Sequence, residues 1–281
     1  MATDAHEQAP GPAPVRALFI GAHPDDCDLK AGGTATLMAE QGHAVKFASL
    51  TNGDAGHHEM GGGALARRRR AEAEEAAQRL GIDAYEVMPH SDGEVRPTLE
   101  IRRDVIRCIR EWNADVVVGH RPNDYHPDHR YGGQVVQDAA YMVQVPNVLP
   151  TVAPTDGNPI FLYFQDRFRK PCPFEHDIVV GIDEGLDRKL DALDAHESQF
   201  YGWLPKVDGT LDQVPDEPAA RTDWLKEQWI DPATDAAREG LGVWYGADAE
   251  DVRYAESFQV AEYGRQPADA EVRRLFPMLP T

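Results

Sequence analysis

The sequence predicts an α/β fold built on a parallel sheet. Short apolar runs recur along the chain, and each stops at a turn or a polar cluster. Segments of helical spacing lie between them. Strands alternating with helices of this length imply right-handed βαβ units, which lay their strands parallel.

The elements follow in order. "VRALFIGAH", residues 15–23, is a buried strand that ends abruptly in a histidine. "TATLMAEQ" is a helix stopped near Gly42, and "GHAVKFASLTNG" carries the second strand. "ALARRRRAEAEEAAQRLG" is a helix closed by its C-terminal glycine. "AYEVMPH" is the third strand. "TLEIRRDVIRCIREWN" follows, with Val105, Ile106, Ile109 and Trp112 at helical spacing. "ADVVVGH" is the fourth strand and "RYGGQVVQDAAYMVQ" the fourth helix. "PIFLYFQ" and "HDIVVGI" read as further strands, and "DEGLDRKLDALDAHESQF" as a helix with Leu186, Leu190 and Leu193 on one face. Residues 202–240 are rich in Pro, Asp and Gly and show no clear period. The expected organisation is a disordered tail over 1–14, then a single α/β domain over 15–281 whose 202–281 part is less regular.

Composition excludes several classes. The formal net charge is -20 over 281 residues, so no basic field exists to neutralise phosphates, and a nucleic-acid partner is not expected. No apolar run approaches a membrane span. The start, "MATDAHEQAPGPAP", has neither a basic n-region nor an apolar h-region. Cys27, Cys108 and Cys172 are scattered and odd in number, which suits a reduced cytoplasm better than a disulfide framework. A cytoplasmic protein is expected, with a homo-oligomer left open.

Open α/β sheets place ligand sites beyond the carboxyl ends of their strands. His23, Asp25 and Asp26 sit where the first strand ends. His120, then His126, Asp128 and His129 in "RPNDYHPDHR", follow the fourth. A parallel sheet brings both clusters to one edge. Two imidazoles and a carboxylate converging there make a metal site with a position left open for water. Alone, "HPDD" reads as a turn with an N-capping aspartate, and "HPDH" as the start of a helix. The pair, each after a strand, favours the site. Two histidines and one carboxylate also describe the Fe(II) facial triad, so the metal stays open at this point.

The pairing of "AHPDD" with a mid-chain "HPDH" resembles the LmbE-like (PIG-L) family of zinc-dependent N-deacetylases. The resemblance runs from about residue 15 to about 200. It implies a Rossmann-like parallel sheet with helices on both faces. It also implies removal of an acetyl group from an N-acetylglucosamine-type sugar or its conjugate. On this resemblance His23, Asp26 and His129 match the zinc ligands, with one Zn2+ per chain and Fe2+ or another divalent ion as alternatives. Asp25 matches the general base, His126 the histidine that supports the oxyanion, and Asp128 the carboxylate that orients it. Asp128 would then hold His126 cationic. The residue after "HPDD" is usually glutamate in the family and is Cys27 here, more simply a core filler than a fourth ligand.

On the substrate side, Leu65, Arg69, Ala73, Ala76 and Leu80 form one helical stripe, so Arg69 alone of "RRRR" lies on the apolar face. It also matches the family arginine that contacts substrate. Asp92, in "PHSDGE", is either a turn aspartate or the family's sugar-hydroxyl ligand. His90 and His120 are strand-end histidines better suited to support than to ligation. "GDAGHHEMGGG" is a polar loop that would serve as a lid or simply move; His57 and His58 in it are more simply solvated. His196, in "AHESQ", is read as a packed or exposed helix residue. Trp203, Trp224, Trp229 and Trp244 suit sugar stacking or the core equally. Two rival classes remain. A nucleotide-binding oxidoreductase would need a G-x-G-x-x-G after the first strand, which is absent. A catalytically silent metal-binding protein would not need Asp25 or His126.

Overall fold

The computed structural model describes residues 13–280. The expected disordered tail therefore lies outside the described residues, except for positions 13 and 14, which carry no regular structure.

Five parallel strands form the frame: β1 (Arg16–Gly21), β2 (Ala44–Thr51), β3 (Ala84–His90), β4 (Val116–Gly119) and β5 (Ile160–Phe164). With β6 (Ile178–Gly181) and β7 (Ala255–Gly264), the seven-stranded sheet runs in the order β3-β2-β1-β4-β5-β7-β6. The sheet is mixed, because β7 pairs antiparallel with both β5 and β6. The expected Rossmann-like parallel sheet with helices on both faces is present, and the antiparallel β7 is the strand that sequence patterning does not reveal. Its run "AESFQVAEYG" contains a buried glutamate that breaks the apolar alternation. The Glu256 carboxylate accepts from the amides of Gly33 and Thr34 at 3.0 and 2.7 Å and from Lys189 Nζ at 2.7 Å. Those charge-assisted bonds offset the burial of the carboxylate and tie β7 to its neighbours.

Successive side chains of the central strands point to opposite faces, so both must be covered. On one face Ala17, Phe19, Val45 and Phe47 pack against helices α1 (Asp26–Glu40), α2 (Gly62–Leu80) and α5 (Leu186–Ala195). On the other, Leu18, Ile20, Ala48 and Leu50 pack against α3 (Leu99–Trp112) and α4 (Pro127–Met142). The helix α5 is shorter than its sequence suggests. It stops at Ala195, and a π-helical turn, Gln199–Trp203, follows. The region beyond 202 holds α6 (Leu204–Asp208), α7 (Pro218–Trp229), α8 (Asp235–Tyr245) and α9 (Asp269–Leu275), besides β7. Helix α7 starts with a proline, and α8 is capped by Thr234, whose hydroxyl accepts from the Ala237 amide at 3.2 Å. No helix among the described residues is long and apolar enough to cross a membrane.

The chain runs from β1 outward to β2 and β3, then crosses back to β4 on the other side of β1. That reversal opens a crevice beyond the carboxyl ends of β1 and β4. One close approach sets its depth. A Cβ on Gly133 of α4 would stand 2.4 Å from the carbonyl oxygen of His120. The glycine lets the N-terminal turns of α4 sit directly on the end of β4.

Candidate active site

The two histidine–aspartate clusters meet in that crevice. His23 Nδ1 and His129 Nε2 face each other at 3.2 Å. Asp26 closes a triangle, with Oδ1 at 3.4 Å from His129 Nε2 and Oδ2 at 3.5 Å from His23 Nδ1. Donors about 2.0–2.1 Å from a common tetrahedral centre would stand about 3.3–3.4 Å apart. The three edges are near that spacing, with Asp26 meeting the two imidazoles through different oxygens, Oδ1 toward His129 and Oδ2 toward His23. Three overlapping sets of candidate donors lie within mutual reach: His23, His126 and His129; Asp26, His120 and His129; and His23, Asp92 and Asp128.

Each member of the triangle also meets groups outside it, although His129 Nδ1 forms no hydrogen bond among the described residues. Asp26 Oδ2 accepts from the amides of Ala22 and His23 at 2.9 and 2.8 Å and faces His120 Nε2 at 3.2 Å. His23 Nε2 lies 3.1 Å from Asp92 Oδ1 and 3.6 Å from Asp128 Oδ2. His129 Nδ1 lies 3.2 Å from Asp124 Oδ1. These contacts polarise the groups. Burial opposes charge on Asp26, yet His129 and His120 beside it hold its carboxyl well below the usual range. Burial likewise opposes charge on His23, but the contacts with Asp128, Asp26 and Asp92 outweigh it and raise the imidazole. Burial and the neighbouring His129 push His120 down to about 4.

Asp25 stands beside the triangle and outside it. Its side chain makes no capping hydrogen bond to α1, so the capping role does not apply. Its Oδ1 lies 3.1 Å from Arg69 Nη2, and burial raises its pKa against the lowering effect of Arg69. Arg69 is itself only 1% exposed, its Nη2 also donates to the Pro24 carbonyl at 3.3 Å, and its buried Nε has no partner among the described residues.

His126 is the N-cap of α4, and its Nδ1 accepts the Asp128 amide at 3.2 Å. In the neutral ring the proton then sits on Nε2. The expected pairing of Asp128 with His126 does not form. Asp128 is fully buried, and its carboxylate accepts from the amides of Gly93 and Val95 at 2.7 and 3.2 Å while facing His23. Burial and the neighbouring His23 and His129 lower the pKa of His126, so a histidine held cationic by Asp128 is replaced by a neutral donor. Asp128 instead pins the loop that carries Asp92.

The other sequence candidates separate from the triangle. Cys27 is buried in the core with Sγ 3.8 Å from the Ala48 carbonyl, as a core filler would be. His90 faces Asp104 at 3.2 Å. His57 and His58 stack at 4.8 Å beside a separate small cavity. Their loop is fastened, since Asp54 accepts the Asp92 amide at 2.9 Å and Gly56 accepts from Gln199 at 3.0 Å. His196 is completely buried, 3.2 Å from Asp28. Trp224 and Trp244 are core residues, whereas Trp203 and Trp229 line the main cleft. Sequence reasoning missed Asp124. Its signal was available as an acceptor two residues before the helix cap, the spacing of an Asx turn; its carboxylate accepts the His126 amide at 3.0 Å.

The cleft above the triangle encloses about 1510 Å³. It runs from His23, Asp25 and His126 past Lys30 to walls formed by 165–176 and 228–237.

The sequence model described as PIG-L, GlcNAc-PI de-N-acetylase, matches residues 18–140, which span both halves of the triangle. A diacetylchitobiose deacetylase of Thermococcus kodakarensis is 30% identical over 66% of this chain and 70% of its own length. The chain belongs to the PIG-L (LmbE-like) family. Among solved structures, this family member is similar to the N,N'-diacetylchitobiose deacetylase of Pyrococcus horikoshii. The TM-score is 0.64 at 25% identity, over 87% of this chain and 83% of the other. The fold is also shared with the 4-carboxy-2-hydroxymuconate hydratase GalB of Pseudomonas putida, with a TM-score of 0.67 at 23% identity over 90% of this chain and 98% of the other. PIG-L folds thus hold enzymes named for different reactions, and the site has to decide between them.

Proposed function

We propose that this protein is a metal-dependent deacetylase that releases acetate from an N-acetylated amino sugar carried on a larger glycan or aglycone. The observation that carries this reading is the triangle of His23, Asp26 and His129 with an unligated carboxylate, Asp25, at its edge. Zinc suits the two-nitrogen, one-oxygen donor set. An ion held there supplies a Lewis acid and brings the pKa of water from 15.7 to about 7.

The chain's own groups account for the proton steps. Asp25, held by Arg69, takes the proton of the attacking water as its oxygen bonds to the amide carbon. His126 Nε2–H donates to the oxyanion that develops on the carbonyl oxygen. Asp25 then returns its proton to the nitrogen as the C–N bond breaks, giving acetate and a free amine. Arg69, Asp92 and Trp203 line the same stretch of cleft, where the guanidinium and the carboxylate would meet sugar hydroxyls. A cleft of about 1510 Å³ exceeds the roughly 300–1,000 Å³ of ordinary small-molecule sites, which supports a conjugate over a free monosaccharide.

Acetate release tests this reading. Zinc-loaded protein is offered N-acetylglucosamine, its disaccharide and its aryl glycosides, with hydration of an unsaturated dicarboxylate followed in parallel by absorbance. Acetate and free amine in equal amounts support deacetylation. Hydration without acetate from any N-acetyl sugar would overturn it in favour of a hydratase.

A further inference from the structure

We propose that Asp124 is the positioning residue for His129, fixing the ring so that Nε2 faces the triangle. The inference rests on the metal-site reading above and adds a residue to it that lies outside both paired motifs.

An imidazole can present either nitrogen, and a ligand must present the right one with its lone pair free. The partner of the other nitrogen decides the tautomer. For His129 that other nitrogen is Nδ1, and Asp124 Oδ1 stands 3.2 Å from it. The contact is a 3.2 Å approach and not a formed hydrogen bond in this structure; a proton placed on Nδ1 toward this carboxylate leaves Nε2 bare toward His23 Nδ1 and Asp26 Oδ1. Asp124 is itself held, because the same oxygen accepts the His126 amide at 3.0 Å. The loop after β4 thus carries a carboxylate with a set direction. His120 stacks against His129 at 4.1 Å and 14°. Stacking restrains the plane of a ring but does not choose which nitrogen carries the proton.

The other two members of the triangle are secured in the same manner. Asp92 stands at the far nitrogen of His23, and two backbone amides with His120 stand at the far oxygen of Asp26. Asp124 completes the set. Its negative charge also makes Nε2 a stronger donor to a cation. Removal of such an outer partner typically weakens metal binding roughly 10–100-fold.

The test is zinc affinity of chelator-stripped protein, measured by competition with a chromogenic chelator and no substrate. Wild type, Asp124→Asn, Asp124→Ala and His129→Ala are compared, with circular dichroism to confirm folding. Asparagine keeps an acceptor for the His126 amide and removes the charge. Weaker zinc binding by Asp124→Asn supports the proposal, with a loss of roughly 10–100-fold for Asp124→Ala if it folds. Wild-type affinity in Asp124→Asn removes the role of the charge, and wild-type affinity in Asp124→Ala as well overturns the proposal and leaves Asp124 as a turn anchor. Should His129→Ala bind zinc as wild type does, the triangle itself is wrong. That outcome is separate from the first, because it appears whatever the Asp124 variants do.

Discussion

At the scale of single residues, the proposed mechanism divides the work between two adjacent aspartates. Asp26 Oδ2 is held by two amides and a histidine, its Oδ1 faces His129, and Asp25 is left to the cleft beside Arg69. Asp25→Asn should keep the metal and lose acetate release by roughly 10²–10⁴-fold, the range for loss of a general base. Elemental analysis beside a turnover assay checks both halves. Normal metal with near-normal turnover would move the base role elsewhere. The residue types of the site were legible, since "HPDD" and "HPDH" each follow a strand. The directions of the side chains were not. Asp128 is one residue from His126 in sequence, yet the amides of Gly93 and Val95 capture its carboxylate and leave His126 without it. Such capture depends on where a distant loop lands, and no local spacing encodes that. Asp92 was likewise read as a sugar ligand or a turn residue, and its Oδ1 faces His23.

At the scale of elements, strands β1 to β4 and their helices were readable because each buries a regular face. Strand β7 was hidden by Glu256, whose partners come from α1 and α5. Two element-scale predictions follow from packing. Gly133→Ala brings a Cβ to 2.4 Å from the His120 carbonyl, so α4 must shift with His126 and His129 on it. A stability loss of about 1–3 kcal/mol, by urea unfolding, and weaker zinc binding are expected together. Loss of neither would show that α4 can move without disturbing the triangle. The second concerns the contact between α1, β3 and the end of α5. Asp28 accepts from the Tyr85 hydroxyl at 2.9 Å and faces His196 at 3.2 Å. Burial disfavours the His196 cation, but Asp28 outweighs it and raises the pKa. A raised folded pKa stabilises fully below the unfolded value of about 6.5 and fades as pH rises through the folded value. Metal-free wild type should therefore lose part of its margin over Asp28→Asn as pH rises above about 6.5. Urea midpoints for both, from pH 5.5 to 9, check this; a margin independent of pH would contradict a charged His196.

At the scale of the whole molecule, the region beyond 202 closes the cleft and completes the sheet. Its lack of period in sequence reflects short helices that each bury a small, different patch. The cleft wall at 165–176 presents Phe168 and Phe174 to the ligand space, and the wall at 228–237 presents Trp229 and Ile230. Phe168→Ala should lower kcat/KM for an extended conjugate roughly tenfold, the effect of losing about 1.5 kcal/mol of apolar contact, and spare N-acetylglucosamine itself. Equal losses on both would place Phe168 at the sugar and not beyond it.

On the proposed function, one metal ion in the triangle and one free carboxylate beside it release acetate. Zinc added stepwise to chelator-stripped protein, with acetate measured at each step, tests it most directly. Acetate release should be absent without metal and rise to a plateau near one equivalent per chain. Asp25→Asn should take up the same equivalent and stay silent. Full acetate release from the stripped wild-type protein, or from zinc-loaded Asp25→Asn, would contradict it.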